Sequence, residues 1–171
     1  MTRRESYLTL NLLPGIGPVR VRRLLEAFGS PEAALRARSD ALRRVEGVGP
    51  ELAQRLADWE NLVDLSRELR RIDEVGARVV TQEEEAYPTT LREVFDPPLV
   101  LYVWGELQSR DDRGIALVGS RRATHYGLQC ARKLSFQLAQ SGLTILSGLA
   151  LGVDAAAHEG ALAAQGRTIG V

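Results

Sequence analysis

The chain of 171 residues contains a single cysteine, Cys130, a single lysine and two histidines. One cysteine excludes a disulfide within the chain and any zinc site built from a cysteine cluster. No apolar run approaches the roughly 20 residues that a membrane helix needs, and the first residues lack the apolar stretch and small-residue cleavage site of a secretory signal. These absences predict a cytoplasmic protein without a membrane segment.

What is present is typical of a soluble globular chain. Apolar residues make up 44% of the sequence and charged residues 26%, a balance that supports a packed core and argues against disorder of the whole chain. Because domains typically have about 100 to 150 residues, the length allows one ordinary domain or two small ones.

The formal net charge of zero conceals a segregation of charge along the chain. Residues 1–50 carry nine arginines and five acids, residues 51–112 carry seven arginines and fifteen acids, and residues 113–171 carry six basic residues and two acids. The basic ends favour a local anion-binding face, because the field in a cleft depends on nearby charges more than on the total. The excess of acidic residues in the middle segment, residues 51–112, is explained equally well by a helix face exposed to solvent.

The first 60 residues contain an internal duplication. Apolar residues at helical spacing flank a break at residues 14–18 (Pro-Gly-Ile-Gly-Pro), and the same pattern returns around residues 46–50 (Glu-Gly-Val-Gly-Pro). Each copy predicts two helices joined by a tight glycine turn. The duplication resembles the helix-hairpin-helix pair of many DNA-metabolism proteins.

In such a pair the second helix begins directly after the glycines, so that its free N–H groups and positive dipole end can approach a phosphate. Arg20, Arg22 and Arg23 follow the first hairpin and are candidate additional DNA contacts, whereas the second hairpin is followed by Glu51, which opposes one. Hairpin pairs that are structural or protein-binding have the same glycine pattern, so both interpretations stand.

The remaining sequence predicts strands that alternate with helices. An amphipathic helix ends at Gly76, strands are predicted over residues 77–81 and 99–104, and a βαβαβ series follows. The strands of the series are expected over residues 115–118, 143–146 and 168–171, and its helices over residues 127–140 and 154–164. Such a series is the mononucleotide-binding half of a doubly wound parallel sheet.

We therefore predict an α/β chain with a helical, helix-hairpin-helix domain over residues 1–75 and an incomplete Rossmann-like domain over residues 76–171. Right-handed crossovers place the two βα turns of the series at the same carboxyl edge of the sheet. We call them the first rim turn (residues 119–127, GSRRATHYG) and the second rim turn (residues 147–154, SGLALGVD).

Each rim turn leaves a strand through glycine and enters a helix, so each can present backbone N–H groups to one anion. For either turn alone, glycines that merely permit a tight turn are the alternative. The coincidence of both turns with the guanidinium of Arg121 favours a phosphate site.

The chain lacks the sequence features of a nucleotide enzyme. The first rim turn has no Gly-x-Gly-x-x-Gly dinucleotide fingerprint, and the chain has no Walker lysine. His125 and His158 are too isolated to argue for a nucleophile and its base. We expect no catalytic residue, no metal and no cofactor.

Several spaced motifs together resemble the DNA-processing protein A family, DprA or Smf. They are Tyr87-Pro88 and the segments 98–105 (PLVLYVWG), 118–127 (VGSRRATHYG), 147–162 (SGLALGVDAAAHEGAL) and 166–169 (GRTI). The motifs stand in the family's order along nearly the whole chain, with the hairpin pair where the family carries a SAM-like domain.

The resemblance implies binding of single-stranded DNA, its protection during natural transformation, loading of the recombinase RecA, and a homodimer in the full-length protein. Arg121 matches the arginine of the family's Gly-Ser-Arg motif and is expected to clamp a backbone phosphate, a contact that holds a strand without reading its sequence. Tyr126 is a further candidate, for stacking on a base. The expected DNA-binding residues are Gly119, Ser120, Arg121, Arg122, Ser147 and Gly148.

Two departures from the family pattern matter. Leu151 stands where the family often has a basic residue, which removes one expected phosphate contact. Since the sequence given ends at Val171 within a predicted strand, we expect only the first half of the sheet here, with an exposed edge that favours strand pairing or domain exchange. Two other functions stay open, a nucleotide-hydrolysing enzyme of a related Rossmann-like group and a protein-interaction scaffold built on the hairpin pair.

Overall fold

A computed structural model describes the whole chain from Met1 to Val171 and shows the expected α/β class. Contacts between residues divide it into two compact units, Met1–Leu107 and Gln108–Val171. None of the α-helices combines the length and apolar character that crossing a membrane requires. The elements of the first unit are α1 (Arg3–Leu12), α2 (Pro18–Phe28), α3 (Pro31–Arg36), α4 (Ser39–Leu42), α5 (Pro50–Ala57), α6 (Trp59–Leu62), α7 (Leu65–Glu74), β1 (Ala77–Thr81), α8 (Thr89–Arg92) and β2 (Val100–Trp104).

The predicted duplication is reproduced in the backbone of the first unit. Gly15 and Gly47 take left-handed φ values of 84° and 81°, which are accessible to glycine at little cost. At the next residue of each hairpin, the N–H groups of Ile16 and Val48 donate to the carbonyl three residues earlier, at 3.2 and 3.1 Å. Both hairpins then lead through a glycine N-cap into a helix that begins with proline, where the missing N–H of proline costs nothing.

The first two strands pack with the helices. β1 and β2 form an antiparallel two-stranded sheet, and Val79, Leu99 and Val100 belong to the same buried apolar cluster as the helical residues. The first compact unit therefore extends to Leu107, beyond residue 75, where the sequence suggests a boundary between modules. The boundary between residues 75 and 76, which the sequence suggests between the hairpin domain and the Rossmann-like domain, stays a prediction.

Charged side chains of α1 hold the segment that follows β1. Arg3 forms an ion pair with Glu83, and Arg4 forms one with Glu84 at 2.7 Å. The fully buried Tyr7 donates its hydroxyl to Glu83 at 2.7 Å. The pKa of Tyr7 lies far above its ordinary value, mainly because the side chain is buried and secondly because of this hydrogen bond. These contacts reinforce the packing of β1 on the helices.

The second unit is the predicted βαβαβ series. Its parallel sheet has the order β3-β4-β5, and because this order follows the chain, right-handed crossovers place both helices on one face. β3 is shorter than the predicted strand over 115–118, although the Leu117 N–H still donates to the Leu146 carbonyl at 2.9 Å. The elements are a 3₁₀ helix (Ser109–Arg113), β3 (Ile115–Ala116), α9 (His125–Gln140), β4 (Ile145–Ser147), α10 (Val153–Ala163) and β5 (Thr168–Gly170).

Asp111 ties together the amino ends of the parallel strands. Its carboxylate accepts hydrogen bonds from the guanidinium of Arg167 at 2.7 Å, the hydroxyl of Thr144 at 3.0 Å and the N–H of Gln108 at 2.7 Å. Burial by itself raises the pKa of Asp111, but these donors outweigh burial and hold the pKa below its ordinary value. The sheet is thus fixed at the end opposite to the rim turns.

Candidate functional site

The two rim turns meet in direct contact at the carboxyl edge of the parallel sheet, as predicted. The N–H of Val153, at the start of α10, donates to the carbonyl of Ser120 at 3.2 Å. A Cβ atom at Gly119 would come within 2.8 Å of the Val153 side chain, and one at Gly152 within 2.3 Å of the Ser120 carbonyl oxygen. The absence of a side chain on both sides therefore permits the contact.

Gly152 offers a test of this contact. Its φ of 89° and ψ of −128° lie outside the regions that other residues adopt without strain. We expect Gly152→Ala to lower the free energy of unfolding by more than about 1 kcal/mol, because backbone strain and the clash with Ser120 add. Gly142→Ala is the control in denaturant unfolding, since Gly142 also has a positive φ of 83° but open space around it. Equal losses in the two variants would contradict the close contact.

Two positive charges stand free in the first rim turn. Arg121 and Arg122 are exposed, and neither guanidinium has a hydrogen-bond or ion-pair partner within the chain. The turn itself is ordered, because the hydroxyl oxygen of Ser120 accepts the N–H of Arg122 at 3.1 Å. Thr124 then caps α9 by accepting the N–H of Gly127 at 3.1 Å. An anion that reaches this edge meets cations that need to give up no internal contact.

The second rim turn offers less to a phosphate than the sequence predicts. Ser147 is 3% exposed and donates its hydroxyl to the carbonyl of Leu117, so this hydroxyl is not available as the expected phosphate donor. Gly148 lies at the rim, but the buried carboxylate of Asp154 lies against it. A Cβ atom added to Gly148 would come within 2.7 Å of Asp154 Oδ2. The other oxygen, Oδ1, has no hydrogen-bond partner. A carboxylate at this position opposes a phosphate beside it.

Tyr126 is exposed in the first turn of α9, and its interaction with the Cys130 thiol raises the pKa of its hydroxyl. Its stacking on a base stays a prediction.

Sequence reasoning missed Leu149 and Leu151 as exposed features of the second rim turn. The available signal was a pair of large apolar residues inside a glycine-bounded turn, where polar residues are usual.

The arginines of the first hairpin are placed differently from the sequence expectation. Nε and Nη1 of Arg20 each donate to a backbone carbonyl, one in each hairpin, at 3.0 and 2.8 Å. Arg23 donates to the carbonyl of Glu46 and pairs with its carboxylate, both at 3.2 Å. Arg22 has no such partner within the chain. Arg20 and Arg23 therefore link the duplicated hairpins, which favours a structural role for them.

We expect Arg20→Ala to lower the free energy of unfolding by about 1 kcal/mol, because the hydrogen bonds that Arg20 donates to one carbonyl in each hairpin are lost. Arg22→Ala removes the same charge from the same helix and is expected to leave stability unchanged. Denaturant unfolding of the two variants measures the difference. If both variants unfold like the unmodified chain, Arg20 does not hold the hairpins together.

Two family models match the chain. One, described as DNA recombination-mediator protein A, matches residues 78–171. The other, described as a SAM-like helix-hairpin-helix tandem, matches residues 7–58 and so covers the duplicated hairpins. The first match includes both rim turns.

Curated relatives agree with these matches. Protein Smf from Synechocystis sp. is 37% identical over 169 residues, which cover 96% of this chain and 42% of that protein. DNA processing protein DprA from Bacillus subtilis is 37% identical over 108 residues, 63% of this chain and 36% of that protein. The chain thus spans about two fifths of the length of the curated relatives it matches.

A solved structure shows the same fold. The X-ray structure of DNA processing protein A (DprA) from Streptococcus pneumoniae matches with a TM-score of 0.76 and 26% sequence identity, over 100% of this chain and 57% of that one. Together with the family model that covers residues 78–171, this match confirms the resemblance carried by the spaced motifs. The chain belongs to the DNA recombination-mediator protein A family, whose members include DprA and Smf.

Proposed function

We propose that the chain binds single-stranded DNA through its phosphates at the first rim turn. The observation that carries the proposal is that Arg121 and Arg122 stand exposed and unpaired where the two rim turns meet. Guanidinium groups recognise phosphate oxygens well, and backbone contacts hold a strand whatever its sequence. The family description as a recombination mediator, and relatives named for DNA processing, support DNA as the polyanion.

The remaining residues of the turn act around the arginines. Gly119 lets the turn approach α10, and the Ser120 oxygen orders the turn by accepting the N–H of Arg122. Because that oxygen acts as an acceptor, the Ser120 hydroxyl hydrogen is free to be donated to a phosphate oxygen. In this proposal Gly148 lies at the rim beside the bound strand. The buried Ser147 stabilises the second rim turn through its hydrogen bond to the carbonyl of Leu117.

We further propose, on family membership, that the full-length protein is a homodimer that protects incoming single strands in natural transformation and loads RecA onto them. The proposed role includes no catalytic reaction on the DNA strand. For the hairpin pair, the internal hydrogen bonds of Arg20 and Arg23 favour a structural or protein-contact role over a second DNA site.

Affinities for oligo(dT), for a duplex of equal length and for a mononucleotide, measured over a range of salt concentrations, test the proposal. We expect oligo(dT) to bind most tightly, with log K falling by about 0.7 per tenfold increase in salt for each phosphate neutralised. Binding that is insensitive to salt, or a mononucleotide that binds as tightly as the oligomer, would instead support a nucleotide enzyme or a scaffold.

A further inference from the structure

Exposed aliphatic side chains stand beside the unpaired arginines. Leu149 and Leu151 of the second rim turn are 81% and 80% exposed, and Val118, directly before the first rim turn, is 72% exposed. A single exposed leucine is ordinary in a soluble protein. An apolar group next to unpaired charges on one edge is the pattern of a surface that meets a ligand with both characters.

Close glycine contacts position the side chain of Leu149 and the backbone next to Leu151. The side chain of Leu149 lies over Gly170 at the end of β5, where a Cβ atom would come within 2.4 Å of Leu149 Cδ2. Leu151 directly precedes Gly152, and a Cβ atom at Gly152 would lie 2.8 Å from the Cα of Arg121. The backbone contact between the rim turns therefore brings Leu151 close to Arg121. Because its side chain lies over Gly170, Leu149 loses less conformational freedom when a ligand covers it than an unrestrained leucine would.

We propose that Leu149 and Leu151 form an apolar lip that contacts unpaired nucleobases of the strand whose phosphates Arg121 and Arg122 hold. The inference rests on the proposed function. It adds that the second rim turn contacts the base of the nucleotide, whereas the first rim turn contacts the phosphate. An unpaired strand presents apolar base faces beside an anionic backbone, which matches leucines beside arginines. A duplex hides those faces within its stack. The buried carboxylate of Asp154 is consistent with this division, because it opposes a phosphate on the leucine side of the contact.

An abasic oligomer separates base contacts from phosphate contacts. We compare oligo(dT) with a strand that has the same number of phosphates and no bases, using the unmodified chain and the double variant Leu149→Ser, Leu151→Ser. The unmodified chain is expected to bind oligo(dT) on the order of tenfold more tightly than the abasic strand. The double variant is expected to lose this preference while keeping its affinity for the abasic strand and its salt dependence.

Leu162→Ser is the matched control, because Leu162 is an exposed leucine near the far end of α10, 64% exposed. This variant should keep the preference for oligo(dT), and unfolding curves of all variants establish that each is folded. Equal binding of both strands by the unmodified chain overturns the lip while leaving the phosphate site intact. A preference that survives in the double variant, or a double variant that changes only the oligomeric state, also overturns it. Absence of binding to either strand overturns the lip and the proposed function together.

Discussion

Arg121→Ala is expected to weaken the binding of oligo(dT) by roughly 10- to 150-fold, which corresponds to about 1.5 to 3 kcal/mol for a charge-assisted hydrogen bond. In the free chain the Arg121 side chain is exposed and has no partner, so its removal breaks no internal contact. The loss therefore reports on the bound state alone. Fluorescence anisotropy of labelled oligo(dT), with unfolding curves as a check on the fold, measures it.

Arg113→Ala provides the control for net charge. Arg113 is also exposed and belongs to the same unit, but it lies two residues before β3, at the amino end of the sheet. The two variants lose the same charge, yet only Arg121→Ala is expected to lose a phosphate contact and to reduce the salt slope by about 0.7. Equal losses in both variants would show that a diffuse positive field, rather than a clamp, holds the strand.

Asp111→Ala is expected to lower the free energy of unfolding by about 3 kcal/mol, the lower end of the effect of removing one partner of a buried ion pair. The side chains of Asp111 and Arg167 are only 12% and 19% exposed, so little solvent reaches the pair. Without the carboxylate, Thr144 and the Gln108 N–H also lose their acceptor. The amino ends of the strands then separate more easily, and denaturant unfolding measures the loss.

Asp112→Ala is the matched control, because Asp112 is the next residue and is exposed. The contribution of Asp111 is also expected to depend on pH. Since folding lowers the pKa of Asp111, its contribution is complete above the ordinary value of 3.8 and is lost as the pH falls through the lower folded-state value. The stability difference between the unmodified chain and Asp111→Ala should therefore shrink in acid. A difference that stays constant at low pH, or an equal effect of Asp112→Ala, would contradict the role of Asp111.

Local pattern predicted much of the fold. The repeated glycine hairpins appear with φ values at Gly15 and Gly47 that differ by only a few degrees, because the same residues impose the same backbone turn. The alternation of strands and helices predicted a parallel sheet, found with the order β3-β4-β5, and the placement of both rim turns at its carboxyl edge, where they meet. Arg121 also stands exposed as expected.

Long-range contacts explain what the pattern missed. The guanidinium of Arg20 reaches a carbonyl 27 residues away, and the hydroxyl of Ser147 donates to a carbonyl 30 residues before it. Spacing along the chain identifies neither partner, so both side chains looked available for DNA. The pairing of β1 with β2 on the helical core has the same origin, since Val79 and Leu99 are buried only once the strands and helices pack.

Backbone amide chemical shifts, followed by NMR while oligo(dT) is added to the chain, test most directly whether the two rim turns form one phosphate-binding edge. The largest changes are predicted for residues 119–122 and 148–152 and for the side-chain Nε–H of Arg121, with little change in the hairpins at residues 14–18 and 46–50. Changes centred on the hairpins, with none at the rim turns, would contradict the assignment of the DNA site to this edge.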